Sequence, residues 1–472
     1  MIVELYENLK QNKFIMELRR ILSSKWMVAI ILALTAISNI YSLEIPIFYA
    51  FMVIVILTVL FNDDMLPCFP IACSGYMTFS KANNPLAKDQ LSIFIKGSAL
   101  VQLYIIAGIV FIFALSRIVY DIKTKKERRT RPKLLYGFLL LAIAYILGGL
   151  FSPMYNLKTI IFGLIQILAL SFTYFCFYYT VDWKKVNKDY FAFLFTGIGF
   201  LMVAEIGNML IDANILNYGK SFSRSKLSTG WGHYNNIASV IIFCIPAPFY
   251  FATTRNNGWK YILIATLFLS FILLNQSRNG MLFGTIIYII SAIATIVLSK
   301  KAERTKSIIT LLILLILACI ITVIFKIKIQ EIFASIYKAG ADDAGRFEIY
   351  RAGFKHYTEY PIFGQGFYRC DSFRWGIPYT ADSFLPPRYH DTYIQILASC
   401  GTVGIIAYLY HRYETLKLFF MSKSISNIFI FIMLMGFIMI SVLDCHFHNF
   451  GPGFLYSALL ILAEKVNTKE AQ

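Results

Sequence analysis

The chain has 472 residues, 58% of them hydrophobic and only 15% charged, with a mean hydropathy of +0.64. That composition excludes a water-soluble globular domain. Its net charge of +18 lies largely in short basic loops, which points to membrane topology and anionic headgroups and away from nucleic-acid binding. In chain order, apolar runs predict membrane spans at residues 26–43, 45–61, 98–120, 134–151, 157–180, 190–211, 233–252, 260–275, 278–299, 307–325, 392–410, 425–443 and 451–464. Each run is long enough to cross a hydrocarbon core of roughly 30 Å. The first begins at Trp26 and continues into a hairpin, so no cleavable signal peptide is expected.

Lys and Arg accumulate on the cytoplasmic side of a membrane. Residues 121–133 carry seven of them, residues 300–306 four and residues 183–188 three. These loops lie an even number of spans apart and therefore share a side. The basic stretch Lys10 to Lys25 joins that side only if residues 64–80 also cross. The expectation is thus an all-α polytopic membrane protein of about 12–14 transmembrane helices, both termini cytoplasmic, with one large, partly helical extracytoplasmic loop. Three regions follow: an N-terminal helix bundle over 1–325, an outer catalytic loop over 326–391, and C-terminal helices over 392–472.

The eight cysteines form no CxxC pair, and most lie inside spans, as small apolar packing residues do. Cys370 alone lies well inside the outer loop. The segment Asp444-Cys445-His446-Phe447-His448 places two histidines near a carboxylate. Positions i and i+2 do not share a helix face, so the expectation is an outer turn lining the acceptor side; no metal and no cofactor are expected.

A polar loop as long as 326–391 between two spans is usually functional when it is ordered. In it Phe347, Tyr350, Phe354 and Tyr357 recur at helical spacing, with Asp343 as an N-cap and Tyr360-Pro361 as the stop. Arg346 then falls in the first turn, where the helix dipole disfavours a cation by about 0.3 to 1 kcal/mol. A bound anion explains it; the alternative is pairing with Asp342 or Glu348. Gly364 and Gly366, in Gly364-Gln365-Gly366, let backbone approach a ligand or another segment closely. His390 stands immediately before a span capped by Asp391 or Thr392, where a helix N-terminus favours neutral imidazole; the alternative is a structural hydrogen-bonder. Arg278, in a short outer turn, runs against the usual charge bias, and snorkelling to headgroups is its alternative. By topology Arg278, Arg346 and His390 reach one face. Two cations near a candidate base suit a diphosphate leaving group and a hydroxyl nucleophile.

These residues resemble a known family. Gly345-Arg346, then Tyr360 to Phe367, then Tyr389-His390-Asp391-Thr392-Tyr393 leading into Gly401-Thr402-Val403-Gly404, is similar to the signature of the O-antigen ligase and O-antigen polymerase superfamily. Thr229 to Asn236 resembles the asparagine-containing segment of that family, with Asn235 in it. The resemblance implies a metal-independent, inverting glycosyltransferase on the outer face of the bacterial cytoplasmic membrane. Its donor would be a glycan on undecaprenyl diphosphate and its acceptor a glycan or a lipid core, with other polysaccharide-assembly membrane proteins as partners. By position in the motif, Arg278 and Arg346 would be catalytic and hold the diphosphate, and His390 would activate the acceptor. Gly364, Gly366, Asp391 and Asn235 would line the substrate. The family usually has His-Asn where this chain has His390-Asp391. The reading favoured is a polymerase of surface-polysaccharide repeat units (O-antigen or capsule), with a ligase as alternative and a glycolipid flippase as second alternative. A flippase would carry polar groups at mid-membrane in two related halves, and Glu205 is the one clear acidic residue inside a predicted span.

Overall fold

The computed structural model describes residues 12–41, 43–75, 98–125, 130–153, 157–212, 228–229, 232–327, 330, 346–367, 389–448 and 450–470. Apolar runs become helices because a bilayer satisfies no backbone polar groups, so a crossing segment must bond within itself. The helices are α1 (Lys13–Leu22), α2 (Lys25–Tyr41), α3 (Glu44–Phe61), α4 (Phe69–Ser74), α5 (Ser98–Thr124), α6 (Leu135–Leu150), α7 (Leu157–Thr180), α8 (Tyr190–Asp212), α9 (Tyr234–Cys244), α10 (Pro246–Thr254), α11 (Trp259–Leu274), α12 (Arg278–Leu298), α13 (Lys301–Ile324), α14 (Arg346–Glu359), α15 (Thr392–Phe419), α16 (Ile425–Ser441) and α17 (Phe450–Glu470). The strands seen are two-residue pieces, Ser228–Thr229 and Gly232–His233, paired antiparallel. The protein is an all-α polytopic membrane protein.

Every predicted span coincides with a helix. Among the described residues seven helices are long and apolar enough to cross by themselves, or eight if α1 and α2 are one bent span. That is fewer than the 12–14 expected. The apolar helices α6, α11 and α16 have only 16 or 17 residues, about 25 Å at 1.5 Å per residue. In the segment 64–80, residues Leu66–Cys68 and Phe69–Ser74 form two short helical turns; residues 76–80 lie outside the described part.

The pair α9–α10 is the centre of the bundle, with 94% of Tyr234–Thr254 buried. Pro246 and Pro248 interrupt it at Ile245, since proline lacks the ladder donor. Around it pack α8, α11, α12, α16 and α17, and α6 and α7 join through α15 and α17. One apolar core runs from Val28 to Ala463. Helix α13 is the opposite case: only 6% of it is buried, and its exposed Leu and Ile side chains suit contact with lipid tails.

Helix α15 is broken at Gly401, whose φ is 62° and ψ −155°. Straight helix would pair Thr402 N–H with Ala398 and Val403 N–H with Ser399. Instead the loop after α14 inserts there. Thr402 and Val403 N–H donate to the carbonyls of Pro361 (2.8 Å) and Ile362 (3.1 Å), while Gln365 and Gly366 N–H donate to those of Ala398 and Ser399 (both 2.9 Å). Two helical bonds are replaced by four. Gly364 and Gly366 have φ of 72° and 88°. A Cβ on Gly364 would meet Cys400 N at 2.4 Å, and one on Gly401 would meet the Ile362 carbonyl at 2.4 Å. The close approach these glycines permit is to this helix.

Helix α14 ends at Glu359, before Pro361, as expected, while Asp343 lies outside the described residues. Its docked face is Ile349, Ala352, Gly353 and His356, all buried, and Phe347 and Phe354 are exposed. The small pair Ala352-Gly353 lets α14 approach closely: a Cβ on Gly353 would lie 2.4 Å from Ile394. The aromatic stripe read from the sequence exists, but it is not the packing face.

Candidate active site

Two short turns and the starts of α9 and α15 meet on one face of the bundle. The turn between α11 and α12 brings Ser277, which caps α12 by accepting from Gly280 N–H (3.2 Å), and Arg278 as the first residue of that helix. The Ser277 hydroxyl donates to Asn235 Oδ1 (2.8 Å) at the start of α9. Asn235 Nδ2 in turn donates to Asp444 Oδ2 (3.3 Å) in the turn between α16 and α17. Opposite it, His390 Nδ1 lies 3.5 Å from Asp444 Oδ1. A continuous polar chain thus runs from the root of Arg278 to the imidazole. Thr392 Oγ1 donates to the Asp444 carbonyl (3.1 Å), tying that turn to the first residue of α15.

His390 has a φ of 52°, an unusual conformation for a non-glycine residue. It is fixed from both sides. Asp391 caps α15, its Oδ1 accepting from Ile394 N–H (2.8 Å), and Tyr350 OH donates to the His390 carbonyl (3.3 Å). On the preceding side Tyr389 is fully buried, its hydroxyl held by His356 Nδ1 (2.7 Å) and Gln365 Nε2 (2.8 Å). Its N–H donates to Gln395 Oε1 (3.1 Å). The His390 side chain itself remains 45% exposed, so a substrate can reach it.

The electrostatics follow from this crowding. Burial alone raises the Asp444 carboxyl, but the imidazoles of His390 and His446 and the Cys445 N–H overcome that and hold it well below the usual carboxylate range. Burial pushes Asp391 the other way, upward, against the N–H groups of Ile394 and Tyr393. Two neighbouring carboxyls are therefore driven apart, one firmly ionised and one closer to neutral, a pattern found at acid–base sites. Burial also pushes the Tyr350 phenol up to about 12, with Arg346 pulling it down and Asp391 and Asp444 adding to the rise. Arg346, first residue of α14, is thus within electrostatic reach of the same cluster.

Of the residues expected from the sequence, Arg278, Asn235, His390 and Asp391 converge here, and Arg346 joins through Tyr350. Gly364 and Gly366 lie against the α15 break. Cys370 is outside the described residues. Sequence reasoning missed Asp444 as the neighbour of His390; the available signal was its place in an outer turn next to two histidines. His448 turns elsewhere, its Nε2 2.9 Å from the Tyr145 hydroxyl. Among the described residues no group of three or more His, Cys, Asp or Glu is arranged to hold a metal ion.

No curated protein matches the chain. A family model described as O-antigen ligase matches residues 263–409, a stretch that contains Arg278, Arg346, the Gly364–Gly366 loop, His390 and the Gly401 break, and leaves Asn235 and Asp444 outside it. Over that segment, about a third of its length, the chain is similar to the O-antigen ligase family.

Proposed function

We propose that the protein is a metal-independent, inverting glycosyltransferase of the bacterial cytoplasmic membrane that uses glycan carried on undecaprenyl diphosphate at the outer face. The observation that carries this reading is the placement of a half-exposed histidine against a buried, ionised carboxylate on the face where Arg278 and Arg346 begin their helices. In the reaction the acceptor hydroxyl oxygen attacks the anomeric carbon from the side opposite the diphosphate. The carbon–oxygen bond to the diphosphate breaks, and configuration inverts. The hydroxyl proton passes to His390 Nε2, while Asp444 on the Nδ1 side orients the ring and stabilises the imidazolium. The electron pair leaves with the diphosphate, whose charge Arg278 and Arg346 hold through bidentate guanidinium contacts. Asn235 keeps Asp444 and the Arg278 turn in register, and Asp391 fixes the backbone of His390.

The finer proposal is polymerisation of repeat units, with transfer to a terminal acceptor as the alternative. Both use the same donor chemistry. The family match is confined to residues 263–409, which suits a divergent branch such as the polymerases. Gel analysis of surface glycan after gene deletion separates the two. A polymerase leaves single repeats on the terminal acceptor, whereas a ligase leaves long chains stranded on the lipid carrier. Unchanged surface glycan, or purified protein that moves the lipid-linked glycan across vesicles without extending or transferring it, removes the transferase reading.

A further inference from the structure

On the face opposite His390, α1 is bent by 70° from the apolar helix that follows, so beside a crossing α2 it lies near the plane of the interface. Phe14, Ile15, Leu18, Ile21 and Leu22 fall on one arc, with Met16 off it and lining the neighbouring cavity. Ile15 and Leu22 are buried, but Phe14 and Ile21, seven residues apart, are 75% and 53% exposed. Basic residues with an exposed apolar edge are the pattern of a helix seated at a bilayer surface.

Beside this helix is a cavity of about 390 Å³, lined by Arg19, Arg20, Lys185, Asn62, Asp63 and Asp64 among others, within the roughly 300–1,000 Å³ of small-ligand sites. Its rim carries both signs. Arg19 pairs with Asp63 (2.6 Å), Arg20 with Glu17 (3.2 Å) and Lys185 with Asp182 (3.0 Å). The side chains of Asp63, Arg20 and Lys185 are 74%, 81% and 80% exposed, and such pairs are weak enough to exchange partners. A headgroup bearing phosphate alone would face Asp63 and Asp64 without an N–H to offer them. One bearing a primary ammonium on a short arm answers both sets of charges.

We propose that this cavity holds the headgroup of an aminophospholipid, its phosphate towards Arg19, Arg20 and Lys185 and its ammonium donating to Asp63 and Asp64. Choline headgroups, lacking N–H, are disfavoured, and glycerol headgroups, lacking the cation, likewise. The loop around Asp63 does not depend on its side chain: Arg117 and Lys125 hold its carbonyl at 2.7 Å and 2.5 Å.

The test is native mass spectrometry of the delipidated full chain with dihexanoyl phosphatidylethanolamine, phosphatidylcholine and phosphatidylglycerol. The ethanolamine lipid should be retained about tenfold over the choline lipid, the ratio that one charge-assisted hydrogen bond supplies. Asp63→Asn should bring that ratio towards parity, and Arg20→Gln should weaken both lipids, with folding checked by thermal melting. Equal retention of the three lipids, retention of none, a preference for the glycerol lipid, or an unchanged ratio in Asp63→Asn overturns the proposal. So does displacement by glycerophosphoethanolamine as effectively as by the lipid, which would make the ligand a soluble phosphodiester.

Discussion

His390 carries the proposed chemistry on a strained backbone. A positive φ at a non-glycine residue costs about 1–3 kcal/mol and persists only where its surroundings over-determine it. Here the Asp391 cap, the Tyr350 hydroxyl and the Asp444 carboxylate do so. His390→Ala should lower glycan extension about 10² to 10⁴-fold while lipid-linked donor still binds, because acid–base assistance acts on the transition state; near-normal turnover would remove the base assignment. Alanine at Arg278 or Arg346 should cost about 10² to 10³ in rate, with lysine restoring only part of it, and activity should persist in EDTA. Asp444 has a depressed native pKa, so its ionised form stabilises the fold above the ordinary carboxylate range, and that contribution is lost only as pH falls through its native value. It therefore does not titrate between about pH 5 and 8. Asp444→Asn removes the counter-charge of the imidazolium, so the acid limb of the pH–rate profile should move to lower pH and the rate at neutral pH should fall. An unmoved limb with a lowered rate would make Asp444 merely structural. The arginines and the histidine were legible in the sequence because each violates a local rule of charge or capping. Asp444 violates none, and its contact with His390 joins distant parts of the chain, which periodicity does not reveal.

At the scale of elements the site rests on the break in α15. The sequence showed its parts, the two glycines of the 364–366 loop and the Gly401–Gly404 stretch, but not that they meet. Helical periodicity continues through Gly401, and the loop that replaces its ladder comes from residues 361–366 of the outer segment, distant along the chain. Gly401→Ala and Gly364→Ala place a Cβ within 2.4 Å of backbone atoms at positive φ, and each should destabilise the protein by about 2 kcal/mol or more. The same change at Gly108 of α5, where a Cβ would meet nothing within 4 Å, should be neutral or slightly stabilising. Thermal unfolding of purified protein distinguishes these outcomes. Equal melting of the Gly401 and Gly108 variants would mean that the inserted loop does not hold the break. The docked face of α14 was not legible in the sequence for a related reason. Aromatic residues dominate the pattern on a sequence, but close helix contact selects small ones, and Ala352-Gly353 at the centre of the face carries no hydrophobic signal.

For the whole molecule, charge bias and structure speak to the same question from independent directions. Helices α3 and α5 run parallel. Tyr49 OH donates to Gln102 near their starts (2.9 Å), and Arg117 and Lys125 donate to the carbonyls of Asn62 and Asp63 near their ends. The end of α3 and the start of α5 therefore lie on opposite faces. The basic segments gather on the face where α3 ends: Arg19 bonds Asp63 (2.6 Å), and Met65 N–H donates to Thr180 at the end of α7 (3.1 Å), close before the basic loop 183–188. Asn235 begins the α9–α10 pair, whose far end returns to that face where Tyr250 OH donates to Asp189 just before α8, and Ser277, Asp444 and His390 share the Asn235 end. By the charge bias we expect the first face to be cytoplasmic and propose that the site faces outward. Two single-cysteine variants test this orientation together. With a membrane-impermeant thiol reagent on intact spheroplasts, Cys370 in the outer segment should be labelled. A cysteine replacing Lys185, whose side chain is 80% exposed, should be labelled only after permeabilisation. The reverse pattern inverts the protein in the membrane and places the histidine site on the cytoplasmic side, which would remove the outer-face donor from the proposed reaction. Denaturing the protein before labelling separates a thiol shielded by folding from one on the wrong side.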